Sequence, residues 1–344
     1  VTVPLGEISQ PQPERIAVRN IPLHPLLRNA HLQTIFPAFM RPAPKLRIEV
    51  ERLELPDGDF VDLGWCGAPA PDAPLAVMVH GLTGSFDSKY LRGLARLLTA
   101  QGWRVALLQL RGAGPKPNRL ARSYHQGDTA DLRYVLRLLR SRQPDTKIAA
   151  VGWSLGANVV LKAMGEEGDD AVVSCVAAAC PPFRLHACAE RLRQGFSRRY
   201  QAQLLLDLKA QLLRKHAVVP APAGVNIEAA LRARDFFEFD DAYTAPLNGF
   251  LDAEDYYARS ECAPHLRDIR RPTLIVHALD DPFMDQQTIP QAADLAPLVS
   301  LELTRGGGHV GFVASGRFGQ PVYWLEQRLA AYLCGQLGPN PVSE

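Results

Sequence analysis

Two hydrophobic periods divide the chain. Residues 47–55 and 60–65 alternate apolar and polar positions around Pro56-Asp57-Gly58-Asp59, which predicts a β-hairpin about an Asp-Gly turn. Beyond it, apolar runs of strand length at 75–79, 104–110, 148–151, 171–179, 273–278 and 299–304 alternate with stretches of helical period. Leu91, Leu94, Leu97 and Leu98 predict a helix over 90–99, and Leu132, Val135, Leu136 and Leu139 predict one over 128–139 started by Asp128 and Thr129. Small residues over 157–163, and the segments 286–295 and 324–337, are read as three more. Strands that alternate with helices of this length imply βαβ units, hence an α/β fold with a mainly parallel central sheet and helices on both faces.

The alternation stops at Pro181-Pro182 and returns only at Thr273. Between them Leu204, Leu205, Leu208 and Leu212 mark an amphipathic helix, and 218–224 marks a proline-bearing loop. A helical insertion between sheet strands is read as a cap. The expected organisation is therefore an N-terminal arm packing on the core (1–46), the core itself (47–182 and 266–344) and a helical cap insertion (183–265). Within the arm, residues 1–16 are polar and proline-bearing and are expected to lack structure of their own. Apolar residues dominate 20–37, which is expected to lie against the core.

Candidate chemistry sits where the strand 148–151 gives way to a helix, at Gly152-Trp153-Ser154-Leu155-Gly156. A strand, a sharp turn and a helix with serine at the apex is the context that makes G-x-S-x-G a nucleophile elbow. The glycines serve the close approach of strand and helix, where a Cβ would collide. A serine hydroxyl needs a base to act at neutral pH. His309 follows the last strand in a Gly306-Gly307-Gly308 loop, and a carboxylate to orient it is expected at the end of the strand before, in Asp280-Asp281. By analogy with hydrolases that carry a G-x-x-D turn here, Asp281, three residues after the small Ala278, is favoured, with Asp280 capping the turn through its own backbone and Asp285 capping the helix that follows. An oxyanion needs preorganised N–H donors. The backbone of Leu155 offers one, and that of Leu82, in the His80–Ser85 loop after the strand 75–79, is assigned the second. His80 is expected to shape that loop. The order Ser154, Asp281, His309 is that of α/β-hydrolases.

The totals narrow the picture. The 344 residues carry a net charge of +2, which makes no electrostatic case for nucleic acid. The six cysteines (66, 175, 180, 188, 262 and 334) are scattered without a C-x-x-C pair, which fits free thiols in a reducing compartment. No apolar run approaches the ~18–20 residues that span a bilayer, and the first residues lack the pattern of a signal peptide. A cytoplasmic protein with no transmembrane segment is expected. Arg111-Gly112-Ala113-Gly114 lacks the third glycine and acidic partner of a dinucleotide site and is read as a tight loop on the active-site side. Nothing has metal-ligand spacing, so neither cofactor nor metal is expected. Eight Lys/Arg over 184–215 face seven acids over 235–255, read as internal charge complementarity or a solvated face.

With these residues in place, the chain resembles the YheT-like branch of the α/β-hydrolase superfamily, which also holds the plant embryogenesis-associated EMB proteins. The matching pieces are NAHLQTIFP (29–37), HGLTGS (80–85), GWSLGAN (152–158), FDDAYTAPLNGF (239–250), ALDDPFM (278–284) and GGHVGF (307–312). The resemblance implies a Ser/Asp/His hydrolase of carboxylic esters, with short or medium acyl or lipid esters as substrates and an acyl-enzyme intermediate. Two alternatives remain: an acyltransferase using the same acyl-enzyme, and a non-catalytic ligand-binding homologue. Oligomeric state is not legible in the sequence.

Overall fold

The computed structural model describes residues 15–67, 70 and 73–338. The chain enters through a short strand, β1 (Ile16–Arg19), and a helix, α1 (Ala30–Phe39), then makes the hairpin β2 (Glu49–Glu54) and β3 (Phe60–Cys66). The hairpin turns where expected: Gly58 takes φ 82° and its N–H donates to the Leu55 carbonyl. Strands and helices then alternate as β4 (Leu75–Val79), α2 (Lys89–Thr99), β5 (Arg104–Gln109), α3 (Ala130–Arg142), β6 (Ile148–Trp153), α4 (Leu155–Glu167) and β7 (Cys175–Ala179). A run of helices follows: α5 (Leu185–Leu192), α6 (Ser197–His216), α7 (Ile227–Arg232) and α8 (Phe236–Phe239). A π-turn at Asp240–Thr244 joins α8 to α9 (Ala245–Leu247), and α10 (Ala253–Ser260) closes the run. The sheet resumes with β8 (Thr273–Ala278) and β9 (Val299–Thr304). A small hairpin, β10 (Val313–Ser315) and β11 (Pro321–Tyr323), leads into the last helix, α11 (Trp324–Leu337).

Among the described residues nine strands form one sheet in the order β1-β9-β8-β7-β6-β4-β5-β3-β2. From β1 to β5 every neighbour is parallel, and only the hairpin is antiparallel. Every residue of β4, β6, β7 and β8 is buried. Such runs need cover on both faces, and two apolar clusters supply it. On one face Leu132, Val135, Val160 and Leu161 of α3 and α4 pack against the sheet. On the other, Leu91, Leu94, Leu325 and Leu329 of α2 and α11 do the same. A third cluster, built from Leu205, Leu212, Phe239 and Tyr257, belongs to the helices between β7 and β8. Among the described residues no helix is long and apolar enough to cross a membrane.

Three local expectations need correction. The segment 286–295 is not one helix but two single 3-10 turns, Gln286–Thr288 and Ala292–Asp294. Pro290 lies between them, without an N–H to continue a helix. Accordingly Asp285 makes no side-chain cap there. Residues 15 and 16 are not a loose arm: Arg15 donates to the Leu295 carbonyl at 2.8 Å, and Ile16 opens the edge strand β1 against β9. The partner lies some 285 positions away, so no local pattern announces the pairing; residues 1–14 fall outside the described set. Between the basic and acidic stretches Arg193 and Asp235 pair directly, while Arg198, Arg199, Asp252 and Glu254 are exposed, so the charges form mainly a solvated face. Asp235 and Asp252 also serve as N-caps, accepting from Glu238 N and Asp255 N.

Arg111 is taken up by an ionic hub. Its guanidinium is 2 % exposed and donates to both Asp131 oxygens (2.9 and 2.7 Å), to Asp57 (2.8 Å) and to Asp59 (3.0 Å). One side chain thus joins the β2–β3 turn, the loop after β5 and the start of α3. Its neighbour Gly112 does line the cavity described below. Arg111→Leu would leave Asp59 and Asp131 buried without a counter-charge and is expected to destabilise the fold by about 3–5 kcal/mol, read from denaturant unfolding.

Candidate active site

Ser154 stands between β6 and α4 with φ 51° and ψ −121°, a conformation an L-residue holds only under constraint. Its N–H donates to Ala179 O at 2.8 Å, so the parallel ladder extends one residue past the strand. The two glycines are required by contact. A Cβ on Gly156 would lie 2.3 Å from the Val79 carbonyl oxygen, and one on Gly152 would lie 2.3 Å from that of Gly156. Asn158, one turn into α4, donates to Gln126 O and Ser260 O at 2.8 Å and accepts from Cys262 N at 2.8 Å. It ties the elbow helix to the point where the helical segment rejoins the core.

The structure brings the other candidates to this serine. His309 Nε2 lies 2.9 Å from Ser154 Oγ, and His309 Nδ1 lies 2.8 Å from Asp281 Oδ2. Asp281 is an acceptor only, so Nδ1 carries the proton and Nε2 is left to accept from the serine hydroxyl. The other Asp281 oxygen accepts from Phe283 N at 2.8 Å. Phe283 also stacks on the imidazole, with ring centroids 4.0 Å apart and planes 8° from parallel. Asp280 has a separate task. Besides meeting its own backbone N–H, as expected of a turn cap, it accepts from Gly308 N at 2.9 Å, clamping the glycine loop that carries His309.

A clamp from the N-terminal segment was not legible in the sequence. Asn29 caps α1, accepting from His31 N at 2.9 Å. Thr34 Oγ1 accepts from His309 N at 2.9 Å, and Gln33 accepts from Val313 N and donates to Val313 O (2.6 and 3.0 Å). Pro37 sits inside α1 and withholds the N–H that Gln33 O would receive in a regular helix. The loop comes in on that carbonyl: a Cβ on Gly311 would lie 2.0 Å from Gln33 O, and one on Gly308 would lie 2.4 Å from Ala30 O. Past its end, Arg41 makes a buried bidentate pair with Glu326 of α11 and lies over the Tyr323 ring at 3.6 Å. On its outer side His31 packs against Phe196 and is within 3.0 Å of Tyr200 OH, both from the helical segment. NAHLQTIFP is a bridge between that segment and the His309 loop. Its composition showed that it packs; only the fold shows on what.

The loop after β4 approaches from the opposite side. Burial pushes His80 down to about 4 and keeps it neutral. Its Nε2 accepts from Leu110 N at 3.1 Å, and Nδ1 donates to Gly81 O at 2.7 Å, so it shapes the loop. Gly81 N donates to Tyr90 OH and Thr83 N to Tyr124 OH (2.9 and 3.0 Å). Between these anchored amides, Leu82 N has no partner among the described residues, and neither does Leu155 N. Thr83, Val310 and Phe312 share with Ser154 a positive φ, rare for side chains of this kind, so backbone strain gathers around the site.

Two cavities meet at Ser154 and His309. One, of about 110 Å³, runs under the helical segment between Leu155, Leu208, Phe239 and Tyr257. The other, of about 480 Å³, passes between Leu82 and α1 toward Phe39. Leu82, Leu204 and Phe283 border both. Behind the site Cys180, His277 and Asp281 place one potential metal-ligand atom each within 4.8 Å of one another. Asp281 has already committed both oxygens, to His309 and to Phe283 N, so the donor set fits a packed second layer better than a cation.

The comparisons bear on family and fold. Residues 74–314 match the family model described as the alpha/beta hydrolase fold. The chain is 43% identical over 307 residues to YheT of Escherichia coli, a protein named as an esterase, covering 89% of this chain and 90% of that one. It is 29% identical to the embryogenesis-associated protein EMB8 of Picea glauca, covering 90% and 71%. The esterase Pf2001 of Pyrococcus furiosus superposes on 86% of this chain and 92% of its own with a TM-score of 0.57, at 16% identity, a likeness of fold.

The contact of α1 with the His309 loop can be tested by stability. Gly311→Ala forces backbone apart and is expected to cost about 1–3 kcal/mol. Gly335→Ala, on a helix position with nothing within 4 Å, is expected to be neutral or stabilising by up to ~1 kcal/mol in the same thermal melts.

Proposed function

Because the chain belongs to the α/β-hydrolase family, in the branch of YheT and the embryogenesis-associated proteins, we propose that it hydrolyses carboxylic esters through an acyl-enzyme on Ser154. The observation that carries this reading is the unbroken chain Ser154 Oγ–His309 Nε2, His309 Nδ1–Asp281 Oδ2, at 2.9 and 2.8 Å. His309 takes the serine proton as Ser154 attacks the ester carbonyl, and returns it to the leaving alcohol. Asp281 holds the imidazole in the required tautomer and stabilises the imidazolium. The Leu82 and Leu155 amides, unpartnered among the described residues, receive the oxyanion. Water then attacks the acyl-enzyme with His309 as base, and the serine is regenerated.

The segment 183–265 acts as a cap on this chemistry. It supplies the far walls of the smaller cavity and meets the catalytic loop through Phe196, Tyr200 and Phe283. An ester spans both cavities, with its scissile carbonyl where they join at Ser154. Lipid and medium-chain acyl esters suit these apolar walls. The N-terminal arm acts as a positioning element for His309 rather than as a substrate group.

Purified protein with p-nitrophenyl alkanoates of graded length tests the reading. Ser154→Ala is expected to lower kcat/KM by at least ~10³-fold and to abolish labelling by a fluorophosphonate probe; retained turnover would exclude it. The two aspartates separate in the same assay. Asp281→Ala is expected to lower kcat by ~10³–10⁴-fold. Asp280→Asn, whose amide oxygen can still accept from Gly308 N, is expected to cost less than ~10-fold.

A further inference from the structure

The Phe239–Phe250 stretch takes no part in the hydrolytic steps, yet it builds a polar wall in the smaller cavity. Its centre is the π-turn Asp240–Thr244, a rare geometry that concentrates at functional sites. Asp240, Thr244 and Asn248 recur every fourth residue and all line the cavity, while Asp241 caps α10 by accepting from Ala253 N at 2.6 Å. Asp240 is 7% exposed and accepts from Tyr257 OH at 2.7 Å and from the Thr244 side chain. No Lys, Arg or His among the described residues forms an ion pair with it. Gln126 lines the same cavity, and its Oε1 is buried with no hydrogen-bond partner among the described residues. The two acceptors are linked through the protein. Gln126 N donates to Tyr256 OH at 3.0 Å, and the Tyr256 ring lies 5.3 Å from that of Tyr257.

We infer that the cavity under the cap receives a hydroxyl-bearing part of the ester, held by the Asp240 carboxyl and the Gln126 amide oxygen. The inference rests on the esterase reading above. An alkyl chain lying here would leave the Gln126 amide oxygen without a donor and the Asp240 carboxyl with none beyond Tyr257 and Thr244, the arrangement by which polar sites reject analogues that lack the matching group. A hydroxyl both donates and accepts. Burial pushes Asp240 up to about 7, so near neutral pH its carboxyl also does both. An ammonium is disfavoured because Lys215 lines the same cavity. The space of about 110 Å³ suits a short chain or a glycerol-sized group. The hydroxyl can belong to the acyl chain or to the alcohol, and the test separates the two.

One arm compares p-nitrophenyl esters of ω-hydroxy and plain alkanoic acids; the other compares glycerol monoesters with methyl esters of the same acid. The wild-type protein is expected to favour the hydroxylated member of one arm by about tenfold or more in kcat/KM, and that arm names the source. Asp240→Leu and Gln126→Met are each expected to bring the ratio within about threefold of unity, while Asp240→Asn retains part of it. Gln126→Met keeps the backbone bond to Tyr256, so it decides the matter should Asp240→Leu not fold. Binding to Ser154→Ala protein gives a readout without turnover. An ω-hydroxy alkanamide is compared there with its plain alkanamide, and a monoalkyl glycerol ether with the matching methyl ether. Plain compounds preferred or equal in both arms, or a preference unchanged in both variants, overturns the inference. Loss of all ester turnover and of fluorophosphonate labelling overturns the esterase reading instead, and the binding comparison then judges the subsite.

Discussion

The positive φ of Ser154 is the constraint around which the other elements are placed. Such a backbone costs of order 1–3 kcal/mol and persists only where the surroundings over-determine it. Here they do so through close contact: Gly152 meets Gly156, Gly156 meets the Val79 and His80 carbonyls, and the Ser154 N–H is captured by Ala179 O. These contacts require β4 and β7 on either side of β6, which the sheet order provides. The same order delivers the loops after β8 and β9, with Asp281 and His309, to the end of the sheet where the serine stands.

Loops that end on a sheet need support from outside it, and this chain takes that support from its N-terminal segment. Thr34 holds His309 N, Gln33 holds Val313, and Asp280 holds Gly308 N from the other side. The proline in α1 has a consequence here. It frees the Gln33 carbonyl face onto which Gly311 packs, so a helix irregularity and a glycine form one contact. The buried Arg41–Glu326 pair then anchors the end of the segment to α11. The ordered geometry at His309 is thus shared between two parts of the chain nearly 280 residues apart.

The helices between β7 and β8 have their own apolar cluster, against which Leu82 and Phe283 of the core also pack. They are tied back at identifiable points. Asn158 holds Ser260 and Cys262, Lys215 reaches Asn118 and the Arg122 carbonyl, and Ser197 donates to Pro282 O at 2.6 Å. The result is a cavity largely apolar along its length but lined also by Asp240 and by Gln126, whose amide oxygen has no partner among the described residues.

The α/β alternation, the hairpin at Asp57-Gly58 and the elbow at Ser154 were legible in the chain because each depends on local chemistry: period, turn residues, and glycine where a Cβ cannot fit. The order of Ser154, Asp281 and His309 was legible for the same reason, since each follows a strand. Tertiary structure decided what depends on distant partners. It separated Asp280 from Asp281, because only the approach of Gly308 shows which carboxyl faces the loop and which the imidazole. It paired Ile16 with β9, turned Arg111 into an ionic hub and set α1 against the His309 loop. Pro290 is the instructive local miss, where apolar spacing over 286–295 suggested a helix that one absent N–H forbids. Hydrophobic period reports which residues are buried; the partner that buries them is fixed by the whole chain's packing.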